Sequence, residues 1–112
     1  VEIKRENGSV GEKVTNNIAE YTAVIKAIRS AVVMGVGRLV VFSDSQLVVK
    51  QLNGDYRVHD PQLKKLHTKA LSLLEWFEQV ELIHISRKRN RLADALANEY
   101  YSQTASFVAA EG

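Results

Sequence analysis

Leu39-Val40-Val41-Phe42 is an unbroken apolar run that stops abruptly at Ser43-Asp44-Ser45. A run this short and continuous, with no polar residue to turn toward water, is the pattern of a strand buried on both faces, and such a strand needs structure layered on each side of its sheet. Helical spacing before and after it supplies those layers. Ile18, Tyr21, Val24, Ile25, Ile28 and Val32 recur at helical intervals until Gly35 and Gly37 stop them. Leu63, Leu66, Ala70, Leu73, Leu74 and Phe77 do the same after Asp60-Pro61, which reads as an N-cap followed by a proline where its missing amide is not needed.

The remaining pattern completes an α/β layer fold with a mixed sheet. Val1 to Lys4 alternates apolar and charged residues, Glu6-Asn7-Gly8-Ser9 carries turn chemistry, and Val10 to Val14 resumes the alternation, which predicts an opening hairpin. Thr15-Asn16-Asn17 interrupts before the long helix. A short helix is expected from Ser45 to Leu52, closed by Asn53-Gly54, then a strand over Val80 to Ser86 with one change of face. Leu92, Ala93, Leu96, Ala97 and Tyr100 predict a last helix, and the tail after about residue 102 has periodicity weak enough to fray. There is no internal repeat, and 112 residues make one domain, spanning 1–112, with room for a real core.

Composition removes several chemistries. The absence of cysteine excludes a disulfide framework, a thiol nucleophile and a cysteine zinc site, and three scattered histidines are too few for a structural zinc cluster. No apolar run reaches the ~18 residues of a membrane span and no signal peptide opens the chain, so a cytoplasmic protein without a membrane partner is expected. The formal charge of +2 is too small to argue for a polyanion, but Arg87, Lys88, Arg89 and Arg91 are concentrated in one turn. Such a cluster is either a solvated turn or a phosphate contact.

Three acids stand at element boundaries: Glu20 in the first turns of the long helix, Asp44 at the end of the buried strand, and Asp94 in the first turns of the last helix. Strand ends of an α/β sheet collect ligands, and carboxylates converging there offer hard oxygens to a divalent cation. Each also has an ordinary explanation. Glu20 and Asp94 suit a helix dipole, and Asp44 suits a cap for the helix that follows.

The residues around those acids carry a resemblance. Thr15-Asn16-Asn17-Ile18-Ala19-Glu20-Tyr21, then Phe42-Ser43-Asp44-Ser45-Gln46-Leu47-Val48, then Arg87 through Asn90-Arg91-Leu92-Ala93-Asp94-Ala95-Leu96-Ala97 resemble, in order, the signatures of type 1 ribonuclease H. The likeness runs from about Val1 to Tyr101, and it is greatest to the compact archaeal, plant and bacterial branch, because Gly54 to Pro61 holds no inserted basic handle. It implies a ribonuclease H-like mixed sheet flanked by helices and hydrolysis of the RNA strand of an RNA/DNA hybrid. The chemistry implied is that of two Mg²⁺ ions roughly 3.5–4 Å apart, with Mn²⁺ as a substitute, one activating water and one stabilising the leaving oxygen. Glu20, Asp44 and Asp94 match three of the family's four metal-binding carboxylates. Asn16, Asn17 and Gln46 match side chains that contact the minor groove and the 2′-hydroxyls, and Thr15 matches a residue that holds a DNA phosphate. Arg87 resembles the arginine of the compact branch, with a role toward phosphate or product release, and Arg89 and Arg91 extend the basic contact. For Asn16-Asn17 a turn or an N-cap is the competing explanation.

Two departures accompany the match. The family's first strand, with its aspartate and glycine-rich turn, has no counterpart, and Glu2, Glu6 and Glu12 lack its context. The long loop that carries a mobile histidine in many relatives is also absent. His84 is expected within a strand, and His59 and His67 at or near the surface. A sheet without its central first strand exposes unpaired backbone, so the gap has to be closed: by an upstream strand, by Val1 to Arg5 pairing with Leu39 to Phe42, or by strand exchange in a homodimer. The alternative to an enzyme is a catalytically impaired nucleic-acid-binding module of the same fold. A phosphoacceptor domain with Asp44 at its strand end explains neither Asn16-Asn17 nor Asn90 to Asp94.

Overall fold

The apolar run forms the strand around which the sheet is built. The computed structural model describes residues 9–86, 100–101 and 104–109. In chain order these form α1 (Ser9–Met34), β1 (Arg38–Ser43), α2 (Gln46–Leu52), α3 (Pro61–Leu74), β2 (Gln79–His84), β3 (Tyr100–Tyr101) and β4 (Thr104–Ala109). The sheet order is β2-β1-β4-β3. β1 is parallel to β2 on one edge and to β4 on the other, and β3 is antiparallel to β4, so the sheet is mixed. Leu39, Val41 and Ser43 are buried, whereas Val40 and Phe42 on the opposite face are half-buried. The strand therefore has one fully covered face rather than the two expected.

α1 and α3 pack against each other, and α1 lies against both β1 and β4. Between them Tyr21, Val24, Ile28, Leu39, Val41, Val48, Leu63, Ala70, Ala105 and Ala109 form one continuous core. Each fully buried valine, leucine or isoleucine contributes about 1.5–3 kcal/mol relative to exposure. Two glycines with positive φ place the turns. Gly35 (φ 73°) donates to the carbonyls of Ala31 and Val32 and turns the chain out of α1, and Gly54 (φ 85°) follows the end of α2. Asp60 caps α3 by accepting from the amides of Gln62 (2.9 Å) and Leu63 (3.0 Å), with Pro61 at the first helical position.

Five expectations are corrected. Val10 to Val14, expected as the second hairpin strand, are the first turns of α1. The reason lies in the spacing: Val10, Val14, Ile18, Tyr21, Ile25 and Ile28 keep to helical intervals throughout, and Ser9 and Glu12 have the Ser-x-x-Glu spacing of a helix start. Thr15-Asn16-Asn17 therefore does not interrupt the helix but lies inside it, since each costs only ~0.5 kcal/mol of propensity. α3 ends at Leu74, before Phe77. The segment expected to fray contains β4, and Tyr100, expected to be helical, belongs to β3.

The position beside β1 is occupied by β4. Leu39 is level with Ala105 and Ser43 with Ala109. With β2 along its other edge, β1 has no open edge left for Val1 to Arg5 in this structure. Val1 to Arg5 themselves, and Leu92 to Ala97 of the expected last helix, lie outside the described residues. Among the described residues, no helix is long and apolar enough to cross a membrane.

The buried alanines of β4 sit where α1 comes close to the sheet. Ala105→Leu should lower stability by about 1–3 kcal/mol through overpacking, read as a fall in the urea midpoint at constant slope. An unchanged midpoint would show a tail that does not pack.

Candidate active site

Ser43 ends β1 with its side chain buried, and the backbone amide of Ile85, just past β2, donates to its carbonyl at 2.9 Å. The strand end is thus fixed from its neighbour. The Ser43 hydroxyl accepts from the Ser45 amide at 3.1 Å, which folds the chain across Asp44. Ser45, buried and extended (φ −93°, ψ 101°), then caps α2: its hydroxyl oxygen accepts from the Val48 amide at 3.2 Å. The capping role considered for Asp44 therefore belongs to its neighbour.

The same Ser45 hydroxyl donates to the Glu20 carboxylate at 2.9 Å. Glu20 and Asp44 are both half-buried, and this bond brings a carboxylate of α1 to the residue adjoining Asp44. Glu20 lies well inside α1, not in its first turns, so the positive helix terminus, whose influence is confined to the first turn, does not account for it. One turn toward the N-terminus, Asn16 and Asn17 are four and three residues before Glu20, the spacing that puts side chains on a common helix face. Asn16 and Thr15 are exposed and Asn17 is half-buried. None of them is in a turn or at a cap. Gln46, exposed, is the first residue of α2 and stands two positions after Asp44.

Beneath these groups, Tyr21 is completely buried, and its hydroxyl donates to Gln51 Oε1 at 2.6 Å. Gln51 in turn donates from Nε2 to the Arg57 carbonyl at 3.1 Å. Burial raises the Tyr21 phenol well above its ordinary value, so it stays neutral and remains a donor. This bridge ties α1, the helix that carries Glu20, to α2, the helix that follows Asp44. Sequence reasoning missed Ser45, Tyr21 and Gln51 as positioning residues, although Ser45 has the N-cap residue type and Tyr21 directly follows Glu20.

Asp94, Arg87, Arg89 and Arg91 lie outside the described residues, as do Glu2 and Glu6, whereas Glu12 lies in α1. Among the described residues no group of three or more histidine, cysteine, aspartate or glutamate side chains is placed to hold a metal ion. His84 stands exposed in β2, as expected; His59 is exposed, and His67 is half-buried and bonded to the Gln51 carbonyl at 3.0 Å.

A family model described as reverse transcriptase-like matches residues 5–100. Ribonuclease HI of Halobacterium salinarum is 41% identical over 97 residues, which cover 87% of this chain and 49% of that protein. This chain belongs to the ribonuclease H family. The bifunctional protein Rv2228c of Mycobacterium tuberculosis is 37% identical over 99 residues, 88% of this chain and 27% of that protein. The chain thus spans about half or less of the length of these curated relatives. Two solved structures share the fold. The N-terminal ribonuclease H domain of Rv2228c, solved as a fusion with maltose-binding protein, superposes with a TM-score of 0.67 at 40% identity, covering 74% of this chain and 63% of that one. Ribonuclease H1 of Halobacterium salinarum gives 0.66 at 43%, covering 75% and 64%. The ribonuclease H fold expected from the three motifs is therefore correct.

Because folding raises the Tyr21 pKa above its unfolded value of 10.0, the stability Tyr21 contributes is complete below that pH and is lost as pH rises through the folded value. Tyr21→Phe, which strands Gln51 Oε1, should cost about 1–3 kcal/mol at about pH 8. The gap to the parent should narrow when urea unfolding is repeated at about pH 11. A gap that is absent at pH 8, or independent of pH, would contradict the Tyr21–Gln51 bond.

Proposed function

We propose that this ribonuclease H domain hydrolyses the RNA strand of RNA/DNA hybrids at a divalent-metal site whose ligands include Glu20, Asp44 and Asp94. The single observation that carries the reading is the Ser45 bridge, which brings the carboxylate of α1 to the end of β1 in a chain of this family. The donor set suits the ion: carboxylate oxygens framed by serine hydroxyls, with neither sulfur nor imidazole in the bridge, are the hard ligands Mg²⁺ takes, and Mn²⁺ accepts the same set. When bound, the ions supply Lewis acidity at the phosphodiester, lowering the pKa of water and neutralising charge on the leaving oxygen.

The chain's own residues do the positioning. Ser45 orients Glu20, and the paired strand end fixes Asp44. Asn16, Asn17 and Gln46, close in sequence to these carboxylates and each carrying an amide that both donates and accepts, read 2′-hydroxyls and thereby separate RNA from DNA. Thr15 and the basic residues Arg87, Arg89 and Arg91 hold backbone phosphates, a contact that strengthens binding without selecting sequence. The domain acts in the cytoplasm.

The competing reading is a nucleic-acid-binding module of the same fold with impaired catalysis. Asp44→Asn decides between them. Cleavage of a labelled hybrid in Mg²⁺ and Mn²⁺ affinity by calorimetry should both fall by roughly 100-fold or more. The melting temperature should hold or rise, since neutralising one of several crowded carboxylates relieves repulsion. Cleavage at the parent rate would overturn the metal assignment, and a parent protein that binds hybrid without cutting it would establish the second reading.

A further inference from the structure

Gln51 is a polar residue in the last turn of α2, 5% exposed, among Val48, Val49 and Leu52, which are also buried. A leucine would pack there without partners, whereas a buried amide has to be bonded at both ends or it costs stability. Both ends are bonded. Nε2 donates to the Arg57 carbonyl at 3.1 Å, and Oε1 accepts from the Tyr21 hydroxyl at 2.6 Å. Because the Arg57 carbonyl only accepts, it settles which end of the amide faces Tyr21. The backbone beneath is held as well: the Gln51 carbonyl accepts from the Gly54 amide at 3.2 Å and from His67 Nε2 at 3.0 Å. The side chain thus reaches α1 from a fixed base.

Two of the hydrogen bonds between α1 and α2 come from neighbouring residues of α1. Glu20 accepts from the Ser45 hydroxyl at the start of α2, and Tyr21 donates to Gln51 in its last turn. Ser45 and Gln51 are separated by roughly 9 Å along the helix at 1.5 Å per residue. A helix held at one point can pivot, and one held at two points this far apart cannot. Val48 and Leu52 hold α2 to the core, but apolar contact is non-directional and fixes distance better than angle. What depends on the angle is Ser45. Its hydroxyl accepts from the Val48 amide and donates to Glu20 together, so a swing of α2 turns the cap away from the carboxylate. Asp44, the residue before it, is displaced by the same swing.

We propose that Gln51 is a positioning residue of the candidate metal site: by holding Tyr21, it fixes the angle of α2 against α1 and so sets Glu20 and Asp44 in place before an ion arrives. The inference rests on the divalent-metal reading of those carboxylates, and adds to it a side chain that touches neither ion nor nucleic acid. A buried hydrogen-bonded pair adds little to stability over an apolar pair of the same shape, and what it supplies instead is one defined arrangement. Position and stability are therefore separable by experiment.

Mn²⁺ affinity by calorimetry, and the melting temperature in chelator, are measured on the intact chain for the parent, Tyr21→Phe, Gln51→Met and the double variant Tyr21→Phe/Gln51→Met. Each single variant strands one buried partner and should melt at a lower temperature. The double variant strands neither, since Arg57 is exposed and water can replace the amide at its carbonyl, and it should recover most of that loss. Its Mn²⁺ affinity should nevertheless stay about tenfold below the parent's, as in both single variants, because the second anchor is still missing. In cleavage of a labelled hybrid, the same variants should need about tenfold more Mg²⁺ for half-maximal rate and come within about threefold of the parent at saturating Mg²⁺. Mn²⁺ affinity that returns with the melting temperature in the double variant, or single variants that melt lower yet bind Mn²⁺ as tightly as the parent, would overturn the proposal, since packing alone would then place the carboxylates. A parent chain that binds no Mn²⁺ would instead overturn the metal reading itself, and this inference with it.

Discussion

β1 is hydrogen-bonded along both of its edges, and the placement of the candidate site depends on that. Its neighbours β2 and β4 are both parallel to it, so three strand ends, at Ser43, His84 and Ala109, lie level with one another. A backbone held from both sides cannot slip by one residue without turning Leu39 and Val41 out of the core, so the register that buries them also determines where Asp44 emerges. The helix after it starts at once, capped by Ser45, and the cap's hydroxyl is the group that reaches Glu20. Fold and chemistry thus share one side chain, which satisfies the first amides of α2 and orients a carboxylate delivered by α1.

Elements that rest on local patterning were legible. The stripe from Ile18 to Val32, the run at Leu39, the Asp60-Pro61 helix start and the alternation around Val80 each declare themselves within a few residues, and α1, β1, α3 and β2 lie there. The errors came where a local signal was outweighed. Val10 and Val14 fit either a short strand or an early helical turn, and their continuity with Ile18 and Tyr21 decides for the helix. β4 was missed because Ala105 and Ala109, its buried residues, carry little hydrophobic signal. That small side chains are needed there follows from α1 lying against β4, a relation between residues far apart in the chain.

The site shows the same division. Asp44 at a strand end and the amides around Glu20 were visible as motifs, because motifs are local. The bonds that place them were not: Ser45 to Glu20 spans 25 residues and Tyr21 to Gln51 spans 30. Confusing Asp44 with Ser45 as the cap is a displacement of one residue, within the ordinary uncertainty of helix ends, yet it changes what the aspartate is for. An aspartate that does not cap α2, at the end of a strand paired on both edges, stands where an α/β sheet gathers its ligands.

The central claim is that Glu20 and Asp44 belong to a divalent-cation site built by the fold itself. The most direct measurement is the melting temperature of the intact chain in MgCl₂ against NaCl at matched ionic strength, a comparison that removes general screening. A cation that binds only the folded state raises the melting temperature in proportion to the logarithm of its concentration over its dissociation constant. A rise specific to Mg²⁺, absent from the Glu20→Gln/Asp44→Asn double variant, is the result this account predicts; superimposable curves in the two salts, for parent and double variant alike, would contradict it.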